Sequence, residues 1–370
     1  MIIAGRILRQ LQRFDWVLIL SVLALFAFGI SAIYSVELSG DSADFIFVKK
    51  QLITFGLGVI ALITMARSNY LLLRSHGRAI YIAGVMLMVL VLIFGRELNG
   101  TTGWFIVGPF SFQPVEFMKF AVALQLARYF GEHARRRFGW REILGSGFLT
   151  LLPVGLTMMQ PDLGSAVLLI GIWVIMMFFA GIRWTHALVL LGATFLAILL
   201  AWSFVLADYQ KQRVEVFLNP QIDPLESGYN VTQAKIAIGS GMLLGRGLGF
   251  GSQSQLKFLP ESKTDFIFAV IAEELGFVGI LLVLFAIAIL YSRMLLLARR
   301  VKDQFATFLV IAIFGLFFSQ ITVNIGVNLS ILPATGVALP FVSYGGTSLL
   351  VSLFLIGILE SIAVRLRPGD

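Results

Sequence analysis

Long apolar stretches separated by short polar joints run through almost the whole 370-residue chain. A helix that crosses a bilayer needs about 20 mostly apolar residues. Ten stretches approach that length, and we predict a membrane helix over each of residues 16–36, 50–66, 79–95, 114–130, 144–160, 164–182, 185–206, 266–290, 305–327 and 345–364. The fourth and fifth are the weakest candidates, because they contain Glu116, Lys119 and Pro153. The pattern predicts an all-α integral membrane protein, organised as one polytopic unit over residues 1–370.

The basic residues set the predicted orientation of these helices. Ten spans place both ends of the chain on the same side of the membrane. If the ends are inside, every inner connection carries at least one Arg, whereas the first outer loop carries Glu37, Asp41 and Asp44. Basic residues are enriched in cytoplasmic loops. We therefore predict that both termini are cytoplasmic and that the long polar loop at about 207–265, before the eighth span, is extracytoplasmic.

Composition changes this picture little, but it excludes some functions. Apolar residues make up 58% of the chain and charged residues only 13%, against about a quarter charged in soluble domains. The basic residues are concentrated in the predicted inner loops, so membrane topology accounts for the net charge of +8. We therefore predict no nucleic-acid partner. There is no Cys, which excludes disulfides and thiolate metal sites. All three His residues fall on the predicted inner side of the membrane.

Ionisable residues within or beside apolar spans are costly to insert and are candidates for function. Glu116 and Lys119 are three positions apart, so they can pair on one helix face. Such a pair is either a structural device that lets the fourth span insert, or a charged feature beneath an outer cavity. Asp162 lies in a short hairpin just before the sixth span, where the interpretation as a helix N-cap is favoured.

Asp265 stands directly before the eighth predicted span. It can be an N-cap together with Thr264, or a general base at the outer face of the membrane. Glu273 and Glu274 follow about two turns later, and adjacent positions on a helix point in different directions. Their spacing does not define a role.

A glycine-rich run extends from Gly239 to Gly251. It lacks the strand and helix context of a dinucleotide-binding loop, and no Gly-Lys-Ser/Thr follows it as in a P-loop. Its backbone N–H groups, together with Arg246, could hold a pyrophosphate. A flexible turn region is the simpler interpretation.

Longer ordered motifs cover nearly the whole chain and resemble those of the SEDS family (shape, elongation, division and sporulation proteins). The motifs that carry the resemblance are Asp208–Val214, Gln233–Gly241, Gly245–Gly249, Gln253–Leu256, Thr264–Gly276, Phe112-Gln113-Pro114 with Glu116 and Lys119, Gln160–Gly164 and Pro340–Ser348. Ala237–Gly241 and Gln253–Leu256 are more similar to the elongation-type members than to the division-type members.

The resemblance implies a peptidoglycan glycosyltransferase in the bacterial cytoplasmic membrane. Such an enzyme polymerises lipid II, a disaccharide-pentapeptide on undecaprenyl pyrophosphate, into β-1,4 glycan strands at the outer face. It also implies a class B penicillin-binding protein (a transpeptidase) and the elongation machinery as partners. An α-linked donor and a β-linked product imply inversion by a single displacement.

The resemblance also implies roles for individual residues. The essential aspartate of the family falls on Asp265, which would act as the general base, and the paired Glu and Lys of span four fall on Glu116 and Lys119. With Asp162, Glu273 and Glu274, this pair would support the cavity. A departing pyrophosphate needs cations rather than an acid, and the candidates are a divalent cation (Mg or Mn) and the basic residues Arg213, Lys235, Arg246 and Lys263. Many family members have His at the position of Lys263.

Two other functions compete with polymerisation. A lipid II flippase or other transporter would need a polar path through the bilayer, and the inner half of this chain offers few ionisable groups besides Glu273, Glu274 and Glu360. A scaffold that only anchors cell-wall synthases would have no need of Asp265, so substitution of Asp265 would not affect any chemistry.

Overall fold

The computed structural model describes residues 13–38, 45–98, 100–108, 110–134, 138–204, 211, 215–217 and 227–366. Most of these residues are helical. The helices are α1 (Trp16–Leu38), α2 (Ile46–Arg67), α3 (Leu71–Phe94), α4 (Pro114–His133), α5 (Trp140–Met158), α6 (Leu163–Phe179), α7 (Trp184–Phe204), α8 (Ser227–Ser240), α9 (Ser252–Gln255), α10 (Ile267–Arg300), α11 (Gln304–Asn328) and α12 (Gly346–Ala363).

A helix covers each of the ten stretches that hydropathy selects. Among the described residues, six helices are long and apolar enough to cross a membrane: α1, α2, α3, α10, α11 and α12. Helices α6 and α7 contain shorter apolar segments. The total of ten spans and the sidedness of the termini therefore stay predictions.

Helices α4 and α11 form the centre of the helix bundle and pack against each other. Helix α4 buries most of its residues, including the ionisable Lys119. Helix α11 is buried over 78% of its most apolar 18 residues, more than the other spanning candidates. Around them lie α3 and α6, while α12 packs chiefly against α2 and α10 against α1. Lys119 on α4 and the amides Gln320, Asn324 and Asn328 on α11 are therefore buried within the bundle.

Three short strands join α3 to α4: β1 (Arg96–Leu98), β2 (Thr101–Val107) and β3 (Phe110–Phe112). They form an antiparallel sheet in the order β1-β2-β3. The β2–β3 hairpin pairs Phe105 with Phe112 and Ile106 with Ser111. The sequence analysis, which predicted an all-α fold, missed this sheet, because the Gly and aromatic residues of 100–113 showed no alternation of apolar and polar positions.

Helix α10 differs from the predicted eighth span, because it is broken at Gly276. This residue adopts φ 66° and ψ −162°, which is not helical. The glycine-rich run packs against the break, where Phe277 N–H donates to Met242 O (2.9 Å) and Arg246 N–H donates to Glu273 O (3.0 Å). A Cβ on Gly276 would lie 2.2 Å from the backbone N of Gly245. Hydropathy could not reveal the break, since both halves of the helix are apolar.

Candidate functional site

A cavity of about 370 Å³ brings together Asp265 and three other predicted site residues, Glu116, Lys119 and Asp162. Its walls come from the strands, from α4, from the start of α6, from the turn before α10, and from the segment between α11 and α12. The polar or charged residues in this lining are Thr101, Trp104, Gln113, Glu116, Lys119, Asp162, Ser165, Asn230, Glu261, Thr264, Asp265, Gln320, Thr335, Tyr344, Thr347 and Ser348.

Asp265 lies in a tight turn just before α10. Thr264 N–H donates to Glu261 O (3.1 Å), and Phe266 N–H donates to the same oxygen (3.3 Å). The N-cap position of α10 is Phe266, so neither Thr264 nor Asp265 occupies the position that the capping interpretation gave them. The turn holds Asp265, half-buried, at the cavity wall.

The segment from Leu329 to Gly345 forms the wall beside Asp265. Gly336 has φ 70°, and a Cβ there would lie 3.8 Å from Asp265 Oδ2. Ser343 ties this segment to the turn, because its hydroxyl donates to Thr264 O. Non-helical backbone of this kind needs partners within the protein when it lies at membrane depth.

Glu116 and Lys119 form the predicted ion pair, with Lys119 Nζ 2.6 Å from Glu116 Oε1. The Lys119 side chain is only 2% exposed and the Glu116 side chain 12% exposed. Both residues line the cavity. The pair is thus buried and also lines the cavity, so both interpretations of its role stay predictions.

Asp162 is the N-cap of α6, as favoured from the sequence. Its Oδ1 accepts a hydrogen bond from Ser165 N–H at 2.9 Å. Its Oδ2 lies 3.4 Å from Gln113 Nε2, which donates from the residue before α4. Asp162 thus links the starts of two helices and also presents a carboxylate to the cavity.

Glu273 and Glu274 do not line this cavity. Glu273 accepts hydrogen bonds from the backbone N–H groups of Gln253 (2.8 Å) and Ser254 (3.1 Å), at the start of α9. Glu274 accepts a short hydrogen bond from the Ser35 hydroxyl of α1. The buried pair therefore fastens the loop after the glycine-rich run to α10 and α1.

Three of the predicted pyrophosphate-binding residues, Lys235, Arg246 and Lys263, also lie outside the cavity lining. Lys235 is exposed on α8. The Arg246 guanidinium donates to Ser240 O (3.3 Å) and to the Ser252 hydroxyl (3.4 Å), and the adjacent N–H of Gly247 donates to Glu274 O. Arg213 lies outside the described residues.

Lys263 points towards the end of α1 and the start of α2. Its Nζ lies 3.9 Å from the centroid of the Phe47 ring and 4.0 Å from Glu37 Oε1. Burial lowers the pKa of Lys263 below its usual value, and the carboxylate of Glu37 opposes that shift. Tyr344 N–H donates to Lys263 O (2.8 Å), so this lysine also fixes the start of the turn that carries Asp265.

The cavity is acidic in the part of the chain that the structure describes. Its lining contains four carboxylates, Glu116, Asp162, Glu261 and Asp265, and one ammonium group, that of Lys119. No cluster of three or more His, Cys, Asp or Glu side chains suited to a metal ion occurs among the described residues. Magnesium is often held by one or two carboxylates together with phosphate oxygens, and the lining offers carboxylates of this kind.

Three buried amides on α11 support this site and were not predicted from the sequence: Gln320, Asn324 and Asn328. Their spacing of four residues within an apolar helix was the signal that could have revealed them, since such residues share one helix face. Glu261 and Trp104, which line the cavity from the turn and from β2, were not predicted either.

The sequence profile of one protein family, described as "Cell cycle protein" and named for FtsW, RodA and SpoVE, matches residues 11–367. The chain belongs to this family. The SEDS resemblance is thereby confirmed, and the apolar helices make this SEDS chain a multi-pass membrane protein.

Relatives with established names cover nearly the whole SEDS chain. Peptidoglycan glycosyltransferase MrdB of Escherichia coli K12 is 38% identical, over 94% of this chain and 93% of the relative. The probable peptidoglycan glycosyltransferase FtsW of Trichlorobacter lovleyi is 37% identical, over 97% of this chain and 95% of the relative. A chain from a solved peptidoglycan synthase complex that coordinates polymerization and crosslinking is 32% identical, with a TM-score of 0.81 over 95% of this chain and 97% of that one.

Proposed function

We propose that this chain is a peptidoglycan glycosyltransferase that polymerises lipid II into β-1,4 glycan strands, with Asp265 as the general base. The observation that carries the proposal is the position of Asp265 at the wall of the acidic cavity, in a chain whose family members include named peptidoglycan glycosyltransferases. The cavity of about 370 Å³ suits the sugar and diphosphate part of such a substrate, while the lipid tail stays outside.

The reaction is a single displacement with inversion. The carboxylate of Asp265 takes the proton from the 4-hydroxyl of the acceptor sugar as the hydroxyl oxygen attacks the anomeric carbon of the donor. The bond between that carbon and the diphosphate oxygen breaks, and undecaprenyl diphosphate leaves with the electron pair. The α-linked donor thereby becomes a β-linked product.

A diphosphate leaving group is an anion, and the carboxylates of the lining would repel it. Added positive charge is therefore needed to stabilise its departure. Lys119 is the one cation of the lining in the described part of the chain, and Glu116 already neutralises it. Asp162 and Glu261 are the carboxylates that would help to hold a divalent cation, Mg or Mn. When bound, such an ion would neutralise charge on the departing diphosphate.

The remaining parts of the proposal concern orientation, partners and pathway. We propose ten spans with both termini cytoplasmic, so that the cavity opens at the outer face of the cytoplasmic membrane. The partner is a class B penicillin-binding protein, which crosslinks the strands during cell elongation. The similarity to a chain of a synthase complex supports the partner, while the motifs at Ala237–Gly241 and Gln253–Leu256 support the role in elongation.

The test is polymerisation of purified lipid II by the solubilised chain, alone and with its transpeptidase partner, in magnesium or manganese and in EDTA. Asp265→Asn keeps the shape of the side chain and removes the base. We expect glycan strands from the wild type and a loss of at least about 100-fold in the variant, the usual size of a general-base contribution.

Two results would count against this function. Full activity of Asp265→Asn would exclude Asp265 as the base. Absence of strands under every condition, together with movement of lipid II across vesicle membranes, would favour a flippase instead.

A further inference from the structure

Three amides form a ladder on one face of α11, at Gln320, Asn324 and Asn328. They are 3%, 1% and 0% exposed, respectively. The helix around them is strongly apolar. Buried amides need hydrogen-bond partners, because an unpaired polar group in an apolar interior costs free energy. The partners of this ladder are backbone groups of the cavity wall.

Two of the amides converge on one carbonyl, that of Asp265. Asn324 Nδ2 donates to Asp265 O at 2.9 Å, and Asn328 Nδ2 donates to the same oxygen at 2.8 Å. Asn328 Oδ1 also accepts from Ala269 N–H, in the first turn of α10 (3.1 Å). A carbonyl oxygen has two lone pairs, so both acceptor sites of the Asp265 carbonyl are occupied and its peptide plane is held from two directions.

The same ladder also holds the segment from Leu329 to Gly345, which forms the wall beside Asp265. Asn324 Nδ2 donates to Val337 O at 2.8 Å, and Gln320 Nε2 donates to Ala338 O at 3.0 Å. These residues directly follow Gly336, whose position lies beside Asp265 Oδ2. One side chain, Asn324, therefore sets the distance between the turn that carries the carboxylate and the wall that faces it.

We infer that Asn324 and Asn328 are positioning residues for the general base: they hold the Asp265 peptide so that the carboxylate points into the cavity at a fixed distance from Gly336. This inference rests on the proposed function, because it takes Asp265 as the base. With the peptide fixed, Asp265 retains only its two side-chain torsions. A displacement of about 1 Å from productive geometry can lower a rate about 100-fold.

The test uses Asn328→Leu and Asn324→Leu, which keep side-chain volume and remove the amide. Tyr81→Phe is the matched control, because it also removes one buried hydrogen bond, from Tyr81 Oη to Leu149 O (2.8 Å), between α3 and α5 and outside the cavity lining. The full-length chain is assayed with its transpeptidase partner. The measurements are kcat and KM for lipid II polymerisation, the Kd for lipid II, and the thermal unfolding midpoint.

We expect kcat to fall about 10- to 100-fold in each Asn variant, while KM and Kd stay within about twofold of wild type, because a base acts in the transition state rather than in substrate binding. The Tyr81→Phe control should lower the unfolding midpoint by less than the Asn variants, because it removes fewer hydrogen bonds, and should leave kcat unchanged. A purely structural ladder would instead lower activity only in proportion to the folded fraction.

Three results would overturn the inference. The first is a folded Asn324→Leu or Asn328→Leu variant with the wild-type kcat, while Asp265→Asn is inactive. This result would leave the proposed function intact. The second is an increase in KM and Kd without a loss of kcat. The third is full activity of Asp265→Asn, which would remove the proposed function first and this inference with it.

Discussion

The buried ion pair of α4 allows a prediction whose magnitude follows from its burial. In Glu116→Leu, the Lys119 ammonium loses the carboxylate that lies 2.6 Å from it, while the Lys119 side chain is only 2% exposed. Removing one partner of a buried pair costs about 3–5 kcal/mol, because the remaining charge is left uncompensated. Lys119→Met should cost less, since Glu116 is 12% exposed and lines the cavity, where water can solvate it.

The double variant Glu116→Leu/Lys119→Met separates stability from function. Replacing both members of a buried pair by apolar residues is often neutral or stabilising, so we expect its unfolding midpoint to return to near the wild-type value. It also leaves the net charge of the cavity lining unchanged. If the pair only stabilises the bundle, the double variant polymerises lipid II at close to the wild-type rate, whereas a pair that also contacts substrate gives a stable but slow enzyme.

The assay is thermal unfolding of detergent-solubilised protein at one fixed scan rate, since membrane proteins of this size often unfold irreversibly. The single variants should unfold several degrees below wild type, with Glu116→Leu the lower of the two. An unfolding midpoint of Glu116→Leu equal to that of wild type would refute the reasoning, because it would mean that Lys119 finds water or another anion.

Three further predictions concern the break in α10 and the surroundings of the turn. Gly276→Ala should destabilise the fold by at least about 2 kcal/mol, because the added Cβ would lie 2.2 Å from Gly245 N and the residue has φ 66°. The control is Gly56→Ala, whose Cβ would meet nothing within 4 Å. This control should unfold at or above the wild-type midpoint. Glu273→Gln should lower stability by about 1–3 kcal/mol in the same unfolding assay, because the charged acceptor of two backbone N–H groups is lost. The kcat of the folded protein should be unchanged. Burial lowers the pKa of Lys263 below 10.5, so the unfolded chain binds more protons between the two pKa values. The difference between the unfolding midpoints of wild type and Lys263→Met should therefore change in favour of wild type as pH increases towards 10.5. A difference that does not change with pH would contradict this prediction.

Hydropathy alone placed the long helices because the bilayer demands long apolar segments, but it did not predict α8 and α9, which lie within the predicted loop at about 207–265. All ten stretches coincide with helices, and the Glu116–Lys119 spacing predicted a contact that exists. The break at Gly276 was not predictable in this way, since it depends on the glycine-rich run packing against it from more than 25 residues away along the chain. A pattern along the sequence carries no direct information about such a distant contact.

The candidate site also contains residues that the sequence brought together correctly and residues that it could not place. Asp265, Asp162, Glu116 and Lys119 come together because each lies at or near a helix start at one end of the bundle. The sequence could not place Glu273 and Glu274, because adjacent helical residues diverge and their partners belong to α9 and α1. The basic candidates were chosen for charge alone, and charge does not determine which way an exposed side chain points.

The most direct test of the central claim is the rate of glycan polymerisation from purified lipid II by wild type and by Asp265→Asn, each with the class B transpeptidase and with magnesium or manganese present. The account predicts strands from wild type and a loss of at least about 100-fold in the variant, with binding of lipid II retained. Strands formed at equal rates by both proteins would contradict it.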